Sequence, residues 1–159
     1  MTLFLLNIVL ALIWAFITGT FNLVNVTIGF VLGYLVILVA SPAIDDSRYV
    51  KKVWLTIGLL LFFFKELFVS SVRVAIDVVK PSFKMQSGIV GIPLDAETDL
   101  EKTLLANMIS LTPGTLSIDI SKDGKTLYIH AMYIDDGDVD AVRKEIKEGM
   151  EARLLRVTQ

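Results

Sequence analysis

Apolar and polar positions are distributed so unevenly along this chain that three regions can be read from them. Residues 1–44 carry no Asp, Glu, Lys or Arg. One helix needs about 20 apolar residues to cross a bilayer, so this stretch is long enough for two. Gly19, Asn22 and Asn25 near its middle predict a turn, with one span from about Leu3 to Thr18 and another from about Val24 to Ala40. Ser41-Pro42 is expected to end the second span, because proline has no N–H to continue the ladder. Gly29 and Gly33 form a G-x-x-x-G, a spacing that lets membrane helices approach closely. The reading is a transmembrane helical hairpin over 1–44. A secretory signal peptide would need a basic segment ahead of the apolar run, and none precedes Leu3.

Residues 45–85 read as a basic loop followed by an amphipathic helix. Arg48, Lys51 and Lys52 make the loop basic, while the turn between the two spans is uncharged. The positive-inside rule then puts the loop in the cytoplasm and the hairpin turn outside. Residues 53–64 are an apolar run too short for a comfortable span. Beyond it Glu66, Ser70, Arg73, Asp77 and Lys80 recur every three or four residues and share one helical stripe. Two placements remain open: an interfacial helix, which is preferred because it keeps the later residues on the cytoplasmic side, or a third crossing with the stripe against protein. Lys65 and Glu66 invite a proton-relay role, but a headgroup-level position accounts for them more simply.

Residues 86–159 change to short alternating elements. Residues 89–94 predict a strand with Pro93 at its end or on an edge. Thr98-Asp99-Leu100-Glu101 is a capping box, opening a helix with Leu100, Leu104, Leu105, Met108 and Leu111 as its apolar face. Thr112-Pro113-Gly114 stops that helix. Two alternating strands follow around Asp123-Gly124, read as a two-residue turn that sets Ile118 opposite Ile129 and Ser117 opposite His130. A last helix starts near Asp138, burying Val139, Val142, Ile146 and Met150. The order β-α-β-β-α is most of a small α+β ferredoxin-like domain, whose closing strand would fall at residues 154–157.

Charge segregates in the same way. The chain is 54% apolar yet 20% charged, and residues 1–85 are net +3 while residues 86–159 are net −5. An acidic soluble half disfavours nucleic-acid binding. The absence of cysteine excludes disulfides and thiolate metal sites, and a single histidine supplies no zinc or haem set. Asp135, Asp136, Asp138 and Asp140 lack calcium-loop spacing and fit a helix start. His130 and Asp119 are expected on one hairpin face, with Ser117 and Ser121 as the nearest hydroxyls, but an exposed sheet is a poor site for a catalytic triad. No catalytic residue, cofactor or metal site is expected.

The run Ala106-Asn107-Met108-Ile109-Ser110-Leu111-Thr112-Pro113-Gly114-Thr115-Leu116 resembles the A-N-x-I-[ST]-L-T-P-G-T signature of the E subunit of Mrp-type (Mrp/Mnh/Pha) multisubunit Na⁺/H⁺ antiporters. Leu127-Tyr128-Ile129-His130-Ala131 resembles that family's L-x-V-H-[AC] strand, with isoleucine where valine is common. Phe63, Glu66, Leu67, Ser70 and Ser71 match its F-x-x-E-L-x-x-S-S pattern. The resemblance implies an accessory or assembly subunit in the bacterial cytoplasmic membrane, surrounded by lipid and partner subunits. The ion path would belong to larger subunits related to those of respiratory complex I, and the C-terminal domain would lie in the cytoplasm. Asn107, Ser110, Thr112, Pro113, Gly114 and Thr115 become a candidate subunit-contact or structural motif. Pro113 fixes one φ, Gly114 permits φ > 0, and Thr112 is pushed to extended geometry, so the turn sets the angle between helix and hairpin. The alternative is a membrane-tethered regulatory module whose ferredoxin-like domain binds a small ligand or a partner protein.

Overall fold

The structure, a computed structural model, describes residues 2–44, 48–80 and 85–159. Asp45, Asp46 and Ser47 of the expected basic loop lie outside the described residues. The chain divides into two compact units, Met1–Trp54 and Leu55–Gln159.

In the first unit, α1 (Thr2–Thr18) and α2 (Leu23–Ile44) form an antiparallel hairpin that leads into the start of α3 (Arg48–Val79). The turn between α1 and α2 is stitched by its own polar groups. Gly19 sits at φ +66°, and Asn22 Oδ1 caps α2 by accepting from the Asn25 amide at 2.8 Å. Asn25 Nδ2 donates to Thr18 Oγ1 at 2.6 Å and to the Thr20 carbonyl at 2.7 Å, while Trp14 Nε1 donates to Asn25 Oδ1 at 3.1 Å.

The two glycines of α2 form the helix contact. A Cβ on Gly29 would lie 2.9 Å from both the Ala11 carbonyl oxygen and Trp14 Cβ, and one on Gly33 would collide with the Asn7 amide. Asn7 is itself fully buried, and its Nδ2 donates to the Tyr49 hydroxyl at 3.0 Å. Contrary to expectation, Ser41-Pro42 does not end α2, which runs on to Ile44. In the last turn a proline forfeits a single ladder bond, so the remaining backbone groups still favour the helix.

In the second unit three antiparallel strands, β1 (Gly88–Pro93), β2 (Thr115–Ile120) and β3 (Thr126–Ala131), pair in the order β1-β3-β2. One face is covered by α4 (Asp99–Leu111) and by a continuous C-terminal helix. That helix comprises α5 (Val139–Lys144), a π-helical segment (Glu145–Glu151) and α6 (Ala152–Thr158). Val90, Ile92, Leu105, Ile109, Ile129 and Ile146 are central to the core between them.

Four expectations are corrected here. The hairpin register holds from Ile120–Leu127 to Asp119–Tyr128, but a β-bulge then sets Ser117 opposite Ile129 and Leu116 opposite His130. Ser117 thereby turns to α4, where its Oγ donates to the Ala106 carbonyl, while Leu116 and Ile118 face outward. The turn is longer than two residues: the Gly124 amide donates to the Ser121 carbonyl at 2.8 Å, making Lys122 and Asp123 its central pair. On α4 the buried residues are Glu101, Leu105 and Ile109, while Leu100, Leu104 and Leu111 are exposed. Finally, residues 154–157 form no closing strand; they belong to α6, where Leu154 continues the buried stripe of Ile146 and Met150.

Glu101 explains why α4 is rotated. Only 4% exposed, its carboxylate accepts from the Thr98 and Glu97 amides at 3.0 and 3.1 Å and from the Thr158 hydroxyl at 2.6 Å. It therefore completes the capping box and ties α4 to the C-terminus. The Thr158 hydroxyl, followed by the Thr98 amide, draws the Glu101 carboxyl down to about 2. A depressed carboxyl stabilises the fold above its unfolded value and loses that contribution as pH falls through its folded one. Stability of the wild type should accordingly decline as pH drops from about 4.5 towards 2. Glu101→Gln should be less stable at neutral pH and show a flatter acid profile, measured by thermal unfolding of the detergent-solubilised chain. Parallel profiles would refute the assignment.

Candidate functional site

The polar stripe of α3 and the Thr-Pro-Gly turn, far apart in sequence, line one cleft within the second unit. Its volume is about 130 Å³. Glu66, Ser70 and Arg73 contribute from α3, and Thr112, Pro113, Gly114 and Thr115 from the turn. Tyr133 and Glu145 complete its polar wall. Phe62 and Leu59, one and two turns before Glu66 on the same side of α3, pack against the core. The Arg153 guanidinium stacks 4.0 Å over the Phe62 ring.

Arg73 is the main polar link. Its Nη2 donates to both oxygens of Asp135 at 2.9 and 3.0 Å, and its guanidinium lies 3.9 Å over the Tyr133 ring. The pair is largely open to water, so it directs the packing of α3 more than it stabilises it. Burial, with the Asp77 carboxylate facing its hydroxyl, raises the Tyr133 phenol above its usual range. Glu145 has more than a third of its surface open, yet desolvation at the cleft and the nearby Glu66 carboxylate raise its carboxyl. Further along, Asp77 of α3 and Lys80 just past its end pair with each other at 3.1 Å and lie outside the cleft.

The turn uses its hydroxyls locally. Thr112 is buried and extended, with ψ 118°, as a residue before proline must be. Its Oγ1 donates to the Met108 carbonyl at 2.9 Å, and Thr115 Oγ1 donates to the Ile109 carbonyl at 2.7 Å, so orphan carbonyls at the end of α4 are satisfied. Ser110 Oγ accepts from the Ser117 amide at 3.0 Å and ties α4 to β2. Gly114, at φ +96°, brings the backbone against Tyr133, whose ring would lie 3.1 Å from any Cβ there. Asn107 is exposed and lines a shallow groove with Ser110, Ile118 and Asp119 instead of the cleft.

The other sequence candidates are separately engaged. Asp135 holds Arg73, Asp138 caps α5 by accepting from the Ala141 amide, and Asp140 pairs with Arg143. Among the described residues no three Asp, Glu or His side chains converge as metal ligands. His130 is exposed between Ile89 and Leu116, across the sheet from the core. The cleft offers a neutralised guanidinium, two carboxylates and locally bonded hydroxyls, an arrangement that holds a helix in place.

Sequence reasoning missed Tyr133, Glu145, Arg153 and above all Glu151. Glu151 is 1% exposed and accepts from the Asp95 and Ala96 amides at 2.7 and 3.0 Å. Lys147 lies 3.4 Å from its second oxygen and 2.9 Å from Asp95, and donates to the Pro93 carbonyl at 2.7 Å. A charge beside Met150 on the apolar stripe was the available signal for Glu151.

Comparison with known proteins agrees along almost the whole chain. Residues 7–157 match the model of the MNHE family, a Na⁺/H⁺ ion antiporter subunit by its description. The E subunit of the Na⁺/H⁺ antiporter of Alkalihalophilus pseudofirmus is 39% identical, covering 98% of this chain and 97% of its own. The corresponding protein of Bacillus subtilis is 34% identical, covering 98% and 97%. A chain in the Mrp complex from Dietzia sp. superposes with a TM-score of 0.51 at 29% identity, covering 65% of this chain and 96% of that one. A chain of the membrane-bound sulfane sulfur reductase, an archaeal respiratory membrane complex, gives 0.57 at 26% identity, covering 96% and 99%. The motif turn, the uncharged hairpin and these matches agree: the chain belongs to the family of Na⁺/H⁺ antiporter E subunits.

Proposed function

We propose that this chain is an accessory and assembly subunit of a multisubunit Na⁺/H⁺ antiporter, anchored by its hairpin, with the α/β unit on the cytoplasmic side. The observation that carries the accessory role is the absence of any charged side chain in residues 1–44. An ion path through a membrane is marked by ionisable groups, and this hairpin supplies none. Its Asn7 and Asn25 are committed to helix packing and the turn. The Thr-Pro-Gly motif acts first as a structural turn that positions α4 against β2, and Asn107, exposed beside it, is the member free to meet a neighbouring subunit. The β-α-β-β order supports kinship with a ferredoxin-like unit in which a helix replaces the last strand. The match to the antiporter-subunit family over residues 7–157 favours this role over a ligand-binding regulatory module.

Expression with its neighbouring subunits and solubilisation in mild detergent tests the role. The chain should migrate in a large complex with several hydrophobic partners; migration alone would overturn it. Orientation is tested in the same cells, since the chain has no native cysteine. Thr20→Cys should react with an impermeant thiol reagent in intact cells, and Lys51→Cys and Gln159→Cys should not. Labelling at Gln159→Cys would place the α/β unit outside.

A further inference from the structure

Helix α3 has two unlike faces. Leu59, Phe62, Glu66 and Arg73 lie on the side taken up by the α/β core and cleft. Around the opposite side, Ile57, Leu61, Phe64, Phe68, Val72 and Val79 are all exposed, Phe68 to 70% and Val79 to 84%. Such a continuous apolar strip along a helix of 32 residues is far larger than scattered surface hydrophobics.

We infer that this strip rests on the cytoplasmic boundary between headgroups and acyl chains, so that α3 lies along the bilayer with the α/β unit carried on its other face. The inference rests on the reading of the hairpin as a membrane anchor. Three observations favour lipid as the occupant. The strip belongs to the same chain as the uncharged hairpin, whose buried Asn7 already binds Tyr49 in the first turn of α3. Only residues 48–58 of α3 precede its contacts with the α/β core. At 1.5 Å per residue they extend ~16 Å, about half of the ~30 Å hydrocarbon core. A crossing would therefore drag the α/β unit, with its charged surface, into the acyl chains. Lastly, Lys65 is exposed to one side of the strip, where its long stem can reach headgroups.

Single cysteines in the full chain, carrying an environment-sensitive fluorophore, provide the test in vesicles of phosphatidylethanolamine and phosphatidylglycerol. Leu61→Cys, Phe68→Cys and Val79→Cys should all lose emission to a quencher attached near the headgroup and little to one at the acyl terminus. This corresponds to burial of about 5–10 Å. Ile13→Cys in α1 should respond to the deep quencher, and Glu148→Cys on the C-terminal helix to neither. A depth gradient along the three α3 positions would overturn the inference in favour of a third crossing. Insensitivity of all three to both quenchers, with Ile13→Cys still deep, would overturn it in favour of a protein cover. Loss of the deep signal at Ile13→Cys would instead overturn the hairpin reading, and this inference with it.

Discussion

Glu151→Ala should lower the stability of the α/β unit by about 3 kcal/mol or more, because it leaves buried donors without acceptors. In the wild type the carboxylate takes the Asp95 and Ala96 amides, the latter buried, and Lys147 lies beside it. With alanine the buried Ala96 amide loses its acceptor and the space of the carboxylate is left as a cavity, both of which cost stability. A domain of this size has only about 5–15 kcal/mol in total, so the loss is a large share. The loop from β1 to α4 should loosen first, since Glu151 holds its amides at residues 95 and 96 and only the Lys147 contacts to Pro93 and Asp95 would remain to tie it to the C-terminal helix. Glu151→Gln, which keeps one acceptor oxygen, should be milder. The measurement is denaturant unfolding of the solubilised chain, with hydrogen exchange at residues 95–96 as the local reading. An alanine variant with unchanged midpoint and unchanged protection at those amides would show that the buried carboxylate contributes little.

That prediction concerns a residue hydrophobic patterning did not reveal, and the reason is general. The hairpin was legible because the absence of charge over 44 residues is an extreme signal with one common cause. The capping box and the Thr-Pro-Gly stop were legible because their chemistry is local. Where burial is decided by tertiary partners, the pattern misled. Leu100, Leu104 and Leu111 are more apolar than Glu101, yet Glu101 is inside because Thr98, Glu97 and Thr158 meet its oxygens there. The bulge at Ser117 and Asp119 breaks the alternation that had set the hairpin register, and nothing local in Ile118 announces it.

The closing helix is a different kind of miss. Ile146, Met150 and Leu154 are spaced by four and were enough to extend the helix, but the ferredoxin-like order called for a strand at 154–157. Topological expectation outweighed a periodicity already visible. Within the π-helical segment Ile146, Met150 and Glu151 are all buried. As for the site, both halves of the cleft were singled out in sequence, the stripe on α3 and the turn after α4. Their meeting depends on how α3 packs, and a one-dimensional pattern holds no information on that until Tyr133 and Asp135 are recognised as the partners of Arg73.

Within the hairpin the expected outcome is sharper still. Gly33→Leu should abolish the packed form of α1 and α2, because even the first added carbon collides with the Asn7 amide and lies 3.1 Å from Leu10 Cβ. Overpacking of this kind costs about 1–3 kcal/mol where neighbours can shift. Here the neighbour is fully buried and bonded to Tyr49, so shifting it also breaks a hydrogen bond that lipid cannot replace. The reading is the amount of chain recovered from membranes and, with its sister subunits, the yield of intact complex; both should fall severalfold or more. Gly33→Ala should be intermediate. Asn7→Ala combined with Gly33→Ala should recover part of the loss, since shortening residue 7 makes room for the new methyl. That recovery separates steric contact from a general dislike of larger residues at position 33: two substitutions that act independently would add, whereas a shared contact makes the pair less harmful than their sum. Additive losses in the double variant would refute the close approach of Gly33 to Asn7.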